Sequence, residues 1–146
     1  MLRKYWLSEM VVCITLILGI TACGPLSPPE SCGAGGTADE AAFAQHFKSM
    51  GIVNQTTGSP GEPDPEGGYQ FSSSDQLALT TDSITDTSLR ACIEERRGGG
   101  KIVFDQTPTM SQGTASMPLG SFEPGSYVVR VILDGVLVRN LPFSIK

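Results

Sequence analysis

The chain has 146 residues, enough for one ordinary domain with its own core. It carries 10 basic and 15 acidic side chains, for a net charge of −5. An acidic balance of this kind speaks against nucleic acid as a partner and against a polybasic hold on anionic lipid.

Residues 1–22 read as a signal peptide. Arg3 and Lys4 make a basic start, and Met10 to Ile20 is an apolar run of 11 residues. Such a run suits a signal-peptide core and is too short to span a bilayer, which takes roughly 20 residues. The run ends in Leu18-Gly19-Ile20-Thr21-Ala22-Cys23. This segment resembles the lipobox of bacterial lipoproteins, with Ile20 where leucine is commoner. The resemblance implies that Cys23 is the lipid-attachment residue, acylated on sulfur with palmitate-type chains, and becomes the mature N-terminus. It also implies a bacterial cell-envelope location, with the membrane as a partner through the N-terminal lipid. Gly24 stands where an aspartate would retain such proteins in the inner membrane of enteric bacteria, which favours the outer membrane if the cell is Gram-negative. Two or three acyl chains make a stable anchor where one does not. Removing Met1–Ala22 takes away Arg3, Lys4 and Glu9, leaving 124 residues with 8 basic and 14 acidic side chains.

Residues 23–36 are rich in Pro, Ser and Gly and read as a flexible tether. Residues 37–53 are expected to hold a short helix packed on the domain. Thr37-Ala38-Asp39-Glu40 suits a capping box with Thr37 as N-cap, Phe43, Phe47 and Met50 follow at helical spacing, and Gly51 is placed to end the helix. Residues 54–68 combine Gly, Pro and Thr with alternating Glu62, Asp64 and Glu66. Two interleaved prolines and the lack of a closing bidentate Glu argue against a calcium loop, and a flexible loop is expected.

Residues 69–146 are expected to form a β-sandwich, because short strands recur at roughly even spacing. Tyr69–Phe71, Gln76–Thr80 and Ser88–Arg96 come first. In the third of these, Leu89, Ala91 and Ile93 share one face and Arg90, Cys92 and Glu94 the other. A turn at Arg97–Gly100 leads back through Lys101–Asp105. Gly99-Gly100-Lys101 hints at a phosphate loop, but Ile102 replaces the needed Ser or Thr. Thr107–Leu119 reads as a longer polar connection with a strand near Ala115–Met117. The chain closes on a hairpin around Asp134-Gly135. A two-residue turn in straight register would set Arg130 opposite Arg139, an unfavourable pairing of like charges. A three-residue loop, Leu133–Gly135, avoids it. It puts Tyr127, Val129 and Val131 on one core face with Leu137, Leu141, Phe143 and Ile145. Arg139 lands there too and must run its stem to a wet rim. Pro142 marks an edge or a bulge.

The run Phe122-Glu123-Pro124-Gly125-Ser126-Tyr127-Val128-Val129-Arg130-Val131 and the final Phe143-Ser144-Ile145 are similar to the immunoglobulin-like or fibronectin-like modules of bacterial envelope proteins. There a Pro-Gly-x-Tyr sequence opens the penultimate strand. The resemblance spans Tyr69–Ile145. It implies a mainly β, immunoglobulin-like antiparallel sandwich of about seven strands, with the short N-terminal helix packed outside. Such modules bind, space or scaffold, and few catalyse.

The residues offer little chemistry. The chain has one histidine, His46, so any Ser-His-Asp or Cys-His device would have to use it. One histidine with two cysteines is too few for a typical zinc set, and no metal or other cofactor is expected. Cys13 leaves with the signal and Cys23 takes lipid, so Cys32 and Cys92 are expected to pair as a disulfide once exported; two free thiols are the alternative. Because Cys92 alternates with Ala91 and Ile93, the bond would lie on the outer face of its sheet. The helix Ala38–Met50 would then cover that face with Phe43 and Phe47. The leading expectation is a non-catalytic, lipid-anchored envelope interaction or scaffolding module with an envelope protein partner. The alternative is an envelope inhibitor or stress-protective lipoprotein acting through an exposed loop, 54–68 or 107–120. A hydrolase ranks behind both.

Overall fold

The structure, a computed structural model, describes residues 32, 33, 36–97 and 100–146. The expected signal segment 1–22, Cys23 and most of the expected tether lie outside the described residues, as do Gly98 and Gly99. One helix, α1 (Glu40–His46), precedes eleven strands: β1 (Phe47–Asn54), β2 (Glu62–Pro63), β3 (Tyr69–Phe71), β4 (Leu77–Ser83), β5 (Thr87–Ser88), β6 (Arg90–Glu95), β7 (Ile102–Gln106), β8 (Thr109–Met110), β9 (Gly113–Gly120), β10 (Gly125–Leu133) and β11 (Val136–Ile145). Seven of these have five residues or more, one of them β1 in the segment 37–53 where only a helix was expected.

Two sheets face each other. One has the order β1-β4-β9, the other β2-β3-β11-β10-β6-β7, and β5 and β8 form a small pair at one end. Three strands against β7-β6-β10-β11, with hairpins β6–β7 and β10–β11, make the immunoglobulin-type Greek key. The chain switches sheets early: β1 pairs antiparallel with β4, whereas β3 joins the other sheet and runs parallel to β11. The sandwich is therefore antiparallel except at that one pair. β4 shows why the sheets close. Leu77, Leu79, Thr81 and Ser83 are buried on the inner face, while Thr80 and Asp82 between them are only half-buried. Leu77 and Leu79 meet Ala91, Ile93, Val129, Val131, Val138, Phe143 and Ile145 of the facing sheet in one apolar cluster. Each such side chain contributes about 1.5–3 kcal/mol by leaving water.

Tyr127 opens β10 and anchors the corner before it. Its hydroxyl donates to the Glu123 carbonyl at 2.8 Å, the tyrosine corner of immunoglobulin-type sandwiches. Its ring stacks on Phe143 at 5.2 Å, and Phe122 packs beside both.

The final hairpin differs from the expected one. The turn has two residues, with Asp134 at φ 48° and Gly135 at φ 83°, and Leu133 pairs with Val136. These two left-handed residues match the right-handed twist of the flanking strands. The register then shifts: Ile132 pairs with Leu137 but Val131 with Arg139, so Val138 is the extra residue of a bulge. The bulge does what the three-residue loop was expected to do. Arg130 meets Asn140, and Val129 and Tyr127 meet Leu141 and Phe143. One assignment reverses, because a one-residue slip changes the face. Val138 is fully buried in the core, whereas Leu137 faces outward. Pro142 sits where β11 has only β10 as a ladder neighbour, since β3 joins at Phe143.

The helix is also shorter than expected. Asp39, not Thr37, is its N-cap, accepting from the Ala42 N–H at 2.9 Å, and the helix ends at His46 after seven residues. Phe47 is already extended, and Met50 and Gly51 belong to β1 rather than to a helical face. The spacing of Phe43, Phe47 and Met50 is ambiguous, because Phe43 closes one helical turn while Phe47 begins a strand that β4 recruits by hydrogen bonding. Tertiary pairing overrides a short helical propensity. Against the flank of the sandwich, α1 is held by Arg139. Its guanidinium lies 3.7 Å over the Phe43 ring, and one terminal nitrogen meets Glu40 at 3.2 Å. The Arg139 Nε is buried with no partner.

Candidate functional site: the pinned stalk and the outer faces

Cys32 and Cys92 form the expected disulfide, with sulfurs 2.04 Å apart and a sequence separation of 60. It lies on the outer face of the larger sheet. Cys92 points away from the Ala91 and Ile93 side and joins Cys32, Ile132 and Leu137 in a second apolar cluster, with Ala38 and Ile102 packed against it. Both cysteines are fully buried there.

Around the sulfurs the stalk is held by polar contacts as well. The Cys32 N–H donates to Glu94 Oε1 at 2.7 Å, and Arg90 Nη1 donates to the Cys32 carbonyl at 3.1 Å. Glu94 Oε2 accepts from Arg130 Nε at 2.8 Å, and Arg90 forms a two-pronged pair with Asp105. A little further along, the Asp39 N–H donates to the Leu137 carbonyl at 2.8 Å. Residues 32–39 are thus pinned at both ends across β6, β10 and β11. Burial pushes the Glu94 carboxyl up, but the Arg130 hydrogen bond and the Cys32 N–H more than offset it, leaving it below its ordinary value of 4.5. The Arg90 hydrogen bonds hold Asp105 below 3.8.

A carboxylate whose folded value is depressed stabilises the fold above its unfolded value, and that stability is lost as pH falls through the folded one. Stability against denaturant should therefore be flat from pH 7 to about pH 5 and fall in acid below it. Glu94→Gln should reduce stability at pH 7 and flatten that acid slope. An unchanged slope in the variant would show that the Glu94 contacts carry no linkage.

The helix does not cover this face as expected. Only Ala38 packs on the disulfide cluster, whereas Phe43 and Phe47 turn into the core between the sheets. α1 packs instead against β11 and β1.

The other candidate groups are dispersed. His46 is half-buried on the last turn of α1, and its carbonyl accepts from the Ile84 N–H at 2.8 Å. Asp64 accepts from the Ser144 hydroxyl and from the Glu66 N–H, the first of which most strongly lowers its carboxyl from the ordinary value. Among the described residues, no three His, Cys, Asp or Glu side chains gather as a metal site, and no helix is long and apolar enough to cross a membrane. Lys48 pairs with Asp82, as Arg90, Arg130 and Arg139 pair with their own carboxylates.

Neither expected loop is the open connection it looked. In 54–68, Asn54 caps a turn by accepting from Thr56 and Thr57, Val53 bridges to Pro60, and β2 pairs with β3. Within 107–120, the strand expected near Ala115–Met117 is the longer β9, which pairs with β4 along its length, and β8 is a second short strand. The alternation of half-buried and exposed residues along β9, with Met117 and Leu119 inward, is the signal that a polar composition hides.

No family model and no curated protein matches this chain. Among solved structures it is similar to a beta-glucosidase from Listeria innocua in complex with isofagomine, at 10% identity and a TM-score of 0.36. The match covers 66% of this chain and 16% of that one. Likeness of this degree carries no statement about activity.

Proposed function

We propose that this chain is a non-catalytic, lipid-anchored module of a bacterial cell envelope, displaying an immunoglobulin-like sandwich on a short stalk to an envelope protein. The observation that carries the reading is the buried Cys32–Cys92 disulfide, nine residues after Cys23. Stable disulfides of this kind belong to oxidising compartments outside the cytosol. The lipobox-like Ile20-Thr21-Ala22-Cys23 supplies the anchor in this reading. Arg90 and Arg130 are engaged with carboxylates on neighbouring strands, which suits a scaffold surface better than a reaction centre.

The anchor is tested at Cys23. Cys23→Ser should release the protein to the soluble fraction or stall it as the unprocessed precursor, and should abolish labelling by a palmitate analogue. A variant still cleaved and membrane-held would overturn the lipid reading. Cross-linking in intact cells followed by purification from solubilised membranes should then yield a defined envelope protein with the wild-type chain.

A further inference from the structure

We infer that the Cys32–Cys92 disulfide routes tension on the stalk directly into β6 and keeps that tension off α1 and β1. Without the bond, a pull from the N-terminal side would reach residues 33–54 first. That stretch is the weakly attached part of the fold. β1 is an edge strand with one ladder, to β4, and a single bridge from Val53 to Pro60, and α1 is a seven-residue helix against β11 and β1. Segments with few ladder neighbours open first. Their loss would also uncover Phe43 and Phe47, which close the core on that flank.

With the bond in place, force leaves the backbone at Cys32 and enters Cys92. That residue lies within a strand paired on both sides, with β10 over six positions and with β7 over four. The Glu94 and Arg90 contacts to the Cys32 backbone hold the entry point against the same strand. Residues 33–91 sit inside the covalent loop, so none of them lies on the force path between the stalk and Lys146. A physiological pull on this stalk rests on the lipid-anchor reading above, but the force path does not.

Single-molecule pulling tests it with the anchor replaced by handles. One handle precedes Gly24 in the Cys23→Ser chain and the other follows Lys146. In the oxidised protein no early release is expected before β6 and its neighbours give way. After reduction by a dithiol, an early low-force step should appear, lengthening the chain by up to roughly 70–80 Å for residues 33–54. Moving the first handle to exposed Thr37, inside the loop, should with the disulfide intact lengthen the chain by no more than roughly 18 Å, because residues 33–36 still tie the handle to Cys32 and through it to Cys92. The Thr37 arm needs no folding of a reduced protein. An early step from the stalk handle in oxidised protein, or a step from the Thr37 handle longer than residues 33–36 allow, would overturn the inference. Loss of membrane attachment in cells would bear on the anchor alone.

Discussion

Replacing Cys32 and Cys92 together by alanine should lower the unfolding free energy by about 4 kcal/mol, the entropy of opening a 60-residue loop in the unfolded chain. Small domains have only about 5–15 kcal/mol in total. The loss should appear as an earlier midpoint in urea, with the steeper dependence on denaturant of a less restricted unfolded state. Alanine at both positions avoids leaving one thiol to mispair. Ile132 and Leu137 beneath the bond keep each other, Ala38 and Ile102, so the sheet itself should persist. A change below about 1 kcal/mol would mean that the unfolded chain is already compact around this loop.

Phe47→Ala should lower stability by about 3–5 kcal/mol, the usual result of emptying an aromatic site in a closed core. Phe47 is 2% exposed, its ring lies 5.5 Å from that of Phe43, and it begins β1. Its neighbour His46 should behave oppositely. His46→Ala should stay within about 0.5 kcal/mol, because the bond from Ile84 uses the His46 carbonyl rather than its ring. Equilibrium unfolding of the two variants side by side checks both values. Equal losses at 46 and 47 would contradict the placement of the helix end between them. The same His46→Ala chain should retain its envelope phenotype; complete loss in a folded variant would revive a hydrolytic reading.

The outer position of the disulfide was legible because strand alternation is strict. Once Ala91 and Ile93 are inward, Cys92 must be outward, whatever the rest of the fold does. Arg139 was legible on the same logic, and it reaches the rim through Phe43 and Glu40. The hairpin was half legible. The objection to pairing Arg130 with Arg139 was sound, but two backbones satisfy it, a longer turn or a bulge, and periodicity does not choose between them. Which one forms depends on whether Val138 or Leu137 fills the core, a matter of space against the facing sheet.

Composition and alternation by themselves determined a mainly β domain, its sandwich, the closing hairpin and the oxidised cysteine pair. Each follows from rules that act within a few residues or from a pair left by elimination. The tertiary structure decided the rest. It chose where α1 yields to β1, because β4 offers Phe47–Asn54 a ladder that an isolated helix cannot match. It extended the strand expected near Ala115–Met117 to Gly113–Gly120, because β4 has a second edge to satisfy. It set β3 beside β11, and it fixed 54–68 through the bonds of Asn54 to Asp75 and of Ser144 to Asp64. All of these join residues far apart in the chain, where no local pattern records which partner will be present.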